Sequence, residues 1–394
     1  MKKIALLILA AAVSGFAADC PIKKHCSVQK FNELEVGTIS GRVQSLTMVR
    51  DYADNGLGNG ANSSLALELR YLSPEIAGFE AGLTYDVSAE FWKKNNSGLL
   101  LNDNINVLNE AWLRYRITTN TSVTVGRKIN NGEVFRDNAF RHKARAIEAV
   151  QLDINEFENL KLSMGHALRM SNWLQTGDRW DFNDFGDVFG AGQNTDGITW
   201  GELVYTGVEN LEIALFDALA YDVAYLIGTR VEWNVATNRT LIGYYRHETD
   251  VGDAEDGDSD AFGISFRQKI GRLTLEPGYF GVRGDNLHFQ EATTGINHPL
   301  GATMMLYASQ FNGGADVAYL KATTKIGKTK LYALYNHTWH SKTPYDGQEL
   351  NVVITQPICD NLTVAFKGGL GHRELSGGGD TTATDVRLFV TYTF

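Results

Sequence analysis

Within ten residues, 136–145, the chain carries Arg136, Arg141, His142, Lys143 and Arg145, with Asp137 among them and Glu133 just before. Cations packed this closely hold oxyanions, and Arg does so by paired, parallel hydrogen bonds. Inside a water-filled passage such a cluster selects anions and releases them. On an outer surface it would meet anionic lipopolysaccharide instead. Other groups are weaker candidates. Asp250, Asp253, Glu255, Asp256, Asp258 and Asp260 could hold Ca²⁺, but their spacing departs from the known twelve-residue calcium loop, and a solvated loop is the simpler reading. Trp173, Trp180, Phe182, Phe185 and Phe189 could cover a mouth or pack as a loop's own small core. His166, His247, His337, His340 and His372 could each act as a base, yet no Ser, His and acid can be grouped. His337 and His340 are three apart on a strand and face opposite sides, a poor metal pair. No metal, no cofactor and no enzymatic activity are expected.

What would position the cationic cluster is a series of strands. Period-two alternation recurs and no amphipathic helix of useful length competes with it. Eighteen segments are expected near 37–52, 64–73, 79–92, 105–117, 122–129, 145–155, 160–170, 198–207 and 211–221, then 225–235, 240–249, 260–270, 273–284, 316–326, 331–341, 349–357, 362–374 and 384–394. In LALELRYL, Leu65, Leu67, Leu69 and Tyr71 oppose Glu68 and Arg70. The parity of 145–155 and 316–326 is ambiguous. Connectors alternate between long, such as KKNNSGLLLNDN and NNGEVFRDNAFRHK, and short, such as TTNT and Gly271-Arg272; only AYDV falls below its class. That alternation is the pattern of an all-β, transmembrane antiparallel β-barrel of the outer membrane, with brief periplasmic turns and longer external loops. An even strand count puts both termini at the periplasm.

Composition agrees. Mean hydropathy is slightly below zero, and a barrel that alternates lipid-facing with lumen-facing residues keeps it there. Forty Gly against six Pro, with 16 Tyr, 19 Phe and 7 Trp, suit many strands and tight turns. A formal net charge of -10 argues against nucleic acid. The N-terminus reads as an export signal: Lys2 and Lys3, an apolar run from Ile4 to Val13, then Gly15-Phe16-Ala17. Asp19 before Cys20 argues against a lipoprotein signal. The expected divisions are a signal peptide over 1–17, a periplasmic segment over 18–36 and the barrel over 37–394. Of three cysteines, Cys20 and Cys26 could close a small loop, with Cys359 on the same side.

The last ten residues, DVRLFVTYTF, end inside a strand. In a closed barrel this strand pairs with the first. Tyr392 and Phe394 on its apolar face resemble the signal read by the barrel assembly machinery. The opposite parity would line a pore about 16–18 strands round. It gives a lumenal basic track of Arg42, Arg70, Arg114, Arg116, Arg127, Arg230, Arg246, Arg267, Lys367, Arg373 and Arg387. About half of these should brace the wall by pairing with carboxylates, since lumen charges commonly have partners. The third long connector, carrying Arg136, Asp137, Arg141, His142, Lys143 and Arg145, is expected to fold inward as the constriction.

TVGRKINNGEVFRDNAFRHKARAIEAVQLDI (124–154) resembles the fifth strand, third loop and sixth strand of OprD-type porins, the outer-membrane carboxylate channels. Gly126-Arg127, Asp137, Arg141 and Glu148 stand at the matching positions, and 37–52 with 63–85 resembles that family's opening hairpins. The resemblance implies eighteen strands, a basic ladder, a narrow eyelet, and passive uptake of small organic acids or amino acids. It implies a monomer; a trimer is the alternative. The implied partners are outer-membrane lipid, lipopolysaccharide and small anionic or zwitterionic solutes. A general pore and, further off, a barrel lipase or protease remain the competing readings.

Overall fold

The computed structural model describes residues 30–31, 34–52, 59–94, 105–137, 139, 141–171, 182–191, 195–252, 257–285, 287–289, 293, 306, 311–342, 345–375 and 379–394. Two short strands, β1 (Lys30–Phe31) and β2 (Leu34–Glu35), pair with each other ahead of the main sheet. Then follow β3 (Thr38–Tyr52), β4 (Gly60–Leu72), β5 (Phe79–Lys94), β6 (Asn106–Arg116), β7 (Thr121–Lys128), β8 (Ile147–Phe157) and β9 (Leu160–Met170). A two-residue β10 (Asn183–Asp184) and a five-residue helix, α1 (Phe185–Phe189), interrupt the series. It resumes with β11 (Ile198–Val208), β12 (Leu211–Ala220), β13 (Ala224–Ala236), β14 (Arg239–Asp250), β15 (Ser259–Ile270) and β16 (Leu273–Gly284). It ends with β17 (Ala315–Ile326), β18 (Thr329–His340), β19 (Tyr345–Pro357), β20 (Leu362–Leu375) and β21 (Asp380–Thr393).

Each neighbouring pair is antiparallel, β9 pairs directly with β11, and β21 returns to β3. Eighteen strands thus close into a barrel, with β10 added to the end of β9. Closure satisfies every edge, which is the condition for strands to sit in hydrocarbon. The burial pattern is that of a barrel with an apolar outside. Along β4, Leu65 and Leu69 are exposed while Ser64, Ala66 and Glu68 are buried. On β5, Phe79 and Leu83 are exposed and Thr84 and Asp86 buried. Among the described residues no helix is long and apolar enough to cross a membrane; the strands cross it.

The turns follow from residue type. Gly271 adopts φ 60° between the paired ends Ile270 and Leu273, the left-handed conformation that a two-residue hairpin favours. At the seam, Gly41 and Phe394 exchange two backbone hydrogen bonds of 3.0 Å, one step beyond the Thr393–Arg42 pair. A Cβ on Gly41 would lie 2.4 Å from the Glu68 carbonyl oxygen and 2.7 Å from the Phe394 ring. Gly41→Val should therefore strain the seam, by about 1–3 kcal/mol for an overpacked site. The check is heat-modifiable mobility in detergent gels; a folded fraction and melting temperature equal to the parent would show that the seam tolerates the branch.

The interior is not uniformly polar. Connector residues Phe135, Phe185, Phe289, Leu306 and Phe311 pack with inward wall residues Trp200, Phe216, Phe280, Val317 and Leu334 into one apolar cluster. Only the third connector was expected inside; the connectors after β9 and β16 also reach the interior. Cys359, in the turn between β19 and β20, is disulfide-bonded. Cys20 and Cys26 lie outside the described residues. Residues 253–256 of the acidic stretch and 172–181 of the aromatic one, as well as the export signal, also lie outside the described residues.

Candidate functional site

The connector from β7 to β8 touches opposite walls. At its start, Arg230 on β13 donates from Nε to Glu133 at 2.8 Å, and the Val134 amide donates to Glu202 on β11 at 2.9 Å. Phe135 sits edge-on to Trp200 with ring centroids 5.1 Å apart. Thr293, from the connector after β16, donates its hydroxyl to the Val134 carbonyl at 2.6 Å. At its end, His142 is clasped by the first two strands: Nδ1 lies 3.1 Å from Gln44 Oε1 and Nε2 lies 2.7 Å from Ser64 Oγ. Arg42 donates to the His142 carbonyl at 2.7 Å. Asn109 on β6 donates to the Ala144 carbonyl at 3.0 Å. In the order β3-β4-β5-β6-β7-β8-β9-β11-β12-β13, β13 is nine places from β3 in a ring of eighteen. A chain bonded to both must cross the interior.

The crossing divides the predicted cluster. Arg141, His142, Lys143 and Arg145 are buried at the wall, while Arg136 and Asp137 are partly exposed. Burial, reinforced by the charges of Arg42 and Arg141, holds the His142 imidazole down to about 3. It therefore stays neutral and serves as a hydrogen-bonding clasp. Burial likewise pushes the Lys143 ammonium down; its Nζ donates to Ser171 Oγ at 3.1 Å. The part of the cluster that meets water is Arg136, one-third exposed and 3.3 Å from Glu133.

Among the described residues at least nine of the eleven track residues are ion-paired, more than the half expected. Arg42 and Arg70 share Glu68 at 2.8 and 2.7 Å. Arg114 pairs with Glu80, Arg116 with Glu75 at 2.6 Å, and Arg127 with Glu148 at 3.1 Å, the Arg127 guanidinium also lying 4.3 Å from the centre of the Phe182 ring. Arg230 is held by Glu133, Glu212 and Glu232 at 2.8, 3.0 and 2.6 Å. Arg246 pairs with Glu248, and Arg267 with Glu276 at 2.7 Å. Arg387 and Arg50 converge on Asp385; Arg50 was not expected to take part, because the inward positions just before it, Leu46 and Met48, are apolar and mask the alternation that Arg50 continues. Lys367 lies opposite Arg387 in the ladder and 4.8 Å from the centre of the Phe389 ring. Arg373 stands opposite Thr381.

These pairs are unevenly balanced round the wall. On adjoining β20, β21, β3 and β4, the five cations Lys367, Arg387, Arg50, Arg42 and Arg70 gather about two carboxylates, Asp385 and Glu68. Across the ring, the four cations Arg136, Arg230, Arg267 and Lys321 share four carboxylates: Glu133, Glu212, Glu232 and Glu276. One side is net positive, the other balanced.

A closed antiparallel barrel, apolar outside and crossed within by one connector, is a porin. The family model for OprD-type outer-membrane porins matches residues 109–320, more than half the chain, and the chain belongs to that family. Solved porins of Pseudomonas aeruginosa share the fold. OccK9 (OpdG) superposes with a TM-score of 0.76 at 16% identity, covering 91% of this chain and 98% of its own. OpdK, solved with vanillate, gives 0.74 at 17%, covering 92% and 99%. OccK3 (OpdO) gives 0.74 at 14%, covering 90% and 95%. No curated protein sequence matches. The protein is accordingly an outer-membrane channel of the Gram-negative type, set in lipid and lipopolysaccharide and passing small solutes.

Proposed function

We propose that the channel prefers small organic anions, carboxylates above all, and zwitterionic amino acids. The observation that carries this reading is the net positive wall formed by β20, β21, β3 and β4, to which the crossing connector is tied through Arg42. Solutes must pass that wall because the connector obstructs the interior. Arg70 on β4, and Arg136 on the crossing connector beside Glu133, keep substantial contact with water, with side chains 47% and 33% exposed. The OpdK structure with vanillate, an aromatic carboxylate, gives the same class of solute for a relative of the same fold.

Further assignments rest on the same reading. The short turns and both termini lie at the periplasm, where the bonded Cys359 meets an oxidising compartment. Residues 1–17 are removed on export, 18–36 stay periplasmic, and Tyr392 with Phe394 present the assembly signal. The working unit is a monomer. Reversal potentials in planar bilayers under a salt gradient test the central claim. The parent should favour chloride over potassium, and Arg70→Gln with Arg136→Gln should move the reversal potential measurably toward zero. A parent without ion preference would make this a general pore; an unchanged potential in the variant would discard these two arginines as selectors.

A further inference from the structure

Far from the crossing connector, at the short-turn rim, a cavity of about 480 Å³ is bounded by Arg272, Lys325 and Lys330 together with Thr274, Thr323 and Thr355. It opens to the interior. Thr323 lies opposite Tyr332, which packs against the interior apolar cluster. The three cations form a row across neighbouring strands. Leu273 pairs with Thr324, which sets Arg272 beside Lys325; Lys325 pairs directly with Lys330; and Lys330 faces Thr355. Like charges directly opposed on antiparallel strands repel and destabilise the pair. Elsewhere on this wall each cluster of cations is bridged by a carboxylate, as Glu276 bridges Arg267 and Lys321. Here no carboxylate lines the cavity, and among the described residues none of the three cations is ion-paired. The three side chains are exposed to water, so an anion from outside the chain can reach and bridge the row. Three threonine hydroxyls beside it supply neutral donors, which suits an oxygen-rich ligand.

From this arrangement we propose a binding site at the rim for a small oxyanion carrying two or more negative charges, which dwells there at the end of its passage. One charge would leave the Lys325–Lys330 repulsion largely in place; two or more bridge it, and the volume fits a di- or tricarboxylate or a phosphate. The site extends the channel reading, since the anion reaches it through the lumen. It is separate from the crossing connector, so each can fail without the other.

Chloride current through the full barrel in planar bilayers reads it directly. Citrate or inorganic phosphate at low millimolar concentration, added to one chamber, should reduce the current from the short-turn side and much less from the other. Acetate should not. Lys325→Gln with Lys330→Gln should weaken the block at least tenfold, and Lys325→Arg with Lys330→Arg should retain it. Unaltered heat-modifiable mobility shows that both variants fold. Equal block from both sides, or undiminished block in the glutamine variant, overturns the site. Anion preference without any citrate or phosphate block leaves the proposed function standing and removes this inference alone.

Discussion

Single-channel conductance should rise severalfold when residues 132–143 are replaced by a short Gly-Ser turn. Lys128 and Ile147, the flanking strand ends, are ladder partners, so a brief linker can join β7 to β8 without disturbing the wall. Residues 132–143 are the stretch that runs from the Glu133–Arg230 contact to the His142 clasp, across nine of eighteen strand positions. Removing them clears the interior where it is crossed, and current through a pore grows with its narrowest section. Selectivity should weaken in parallel, because Arg136 leaves with the segment. Heat-modifiable mobility reports whether the barrel still closes. A folded variant with parental conductance would mean that the crossing segment does not set the narrowest section.

Glu248→Ala should destabilise the barrel more than any surface change. Arg246 and Glu248 are each about 1% exposed, two residues apart on the inward side of β14. Glu248 also accepts the Phe289 amide at 3.1 Å, so it ties the connector after β16 to the wall. Truncation strands a guanidinium that water cannot reach. Breaking one side of a buried pair costs about 3–5 kcal/mol, whereas replacing both partners by apolar residues of similar size is often neutral. Arg246→Met with Glu248→Leu should therefore recover most of the loss. Urea unfolding monitored by tryptophan fluorescence measures both. If the single change proves as mild as the double, the pair is solvated and the burial argument is wrong.

The wall was legible in the sequence and much of the interior was not. All eighteen segments are strands because the lipid imposes alternation wherever it touches the chain. β4, β19 and β21 extend up to four residues past the expected starts, since hydrogen bonding continues beyond the zone where apolar side chains are required. The two ambiguous segments have separate explanations. The β8–β9 pairing shifts register at Glu148/Ala149, where β9 carries the extra residue Leu168, and at Ile154/Phe157, where β8 carries one, so the alternation is interrupted near both ends of β8. β17 presents Val317 and Tyr319 to the interior cluster, so both its faces are apolar. At the site, composition and position placed the cationic connector inside. They did not show that Arg141, His142, Lys143 and Arg145 would be buried as anchors, because which side of a loop meets the wall depends on contacts a hundred residues away, such as Gln44 with His142. The apolar cluster left a faint trace in the inward alanines of ALFDALA, residues 214–220.

The unequal distribution of charge round the ring has a mechanical consequence. Five cations about two carboxylates face four cations about four, so an electric field runs sideways across the conduit, perpendicular to the route of travel. On the proposed preference for carboxylates and amino acids, a molecule with separated charges would be turned broadside, its carboxylate toward β3 and its ammonium away from it. Passage would then be a slide in one fixed attitude, and the expected result is unequal conductance block by the two enantiomers of a rigid amino acid.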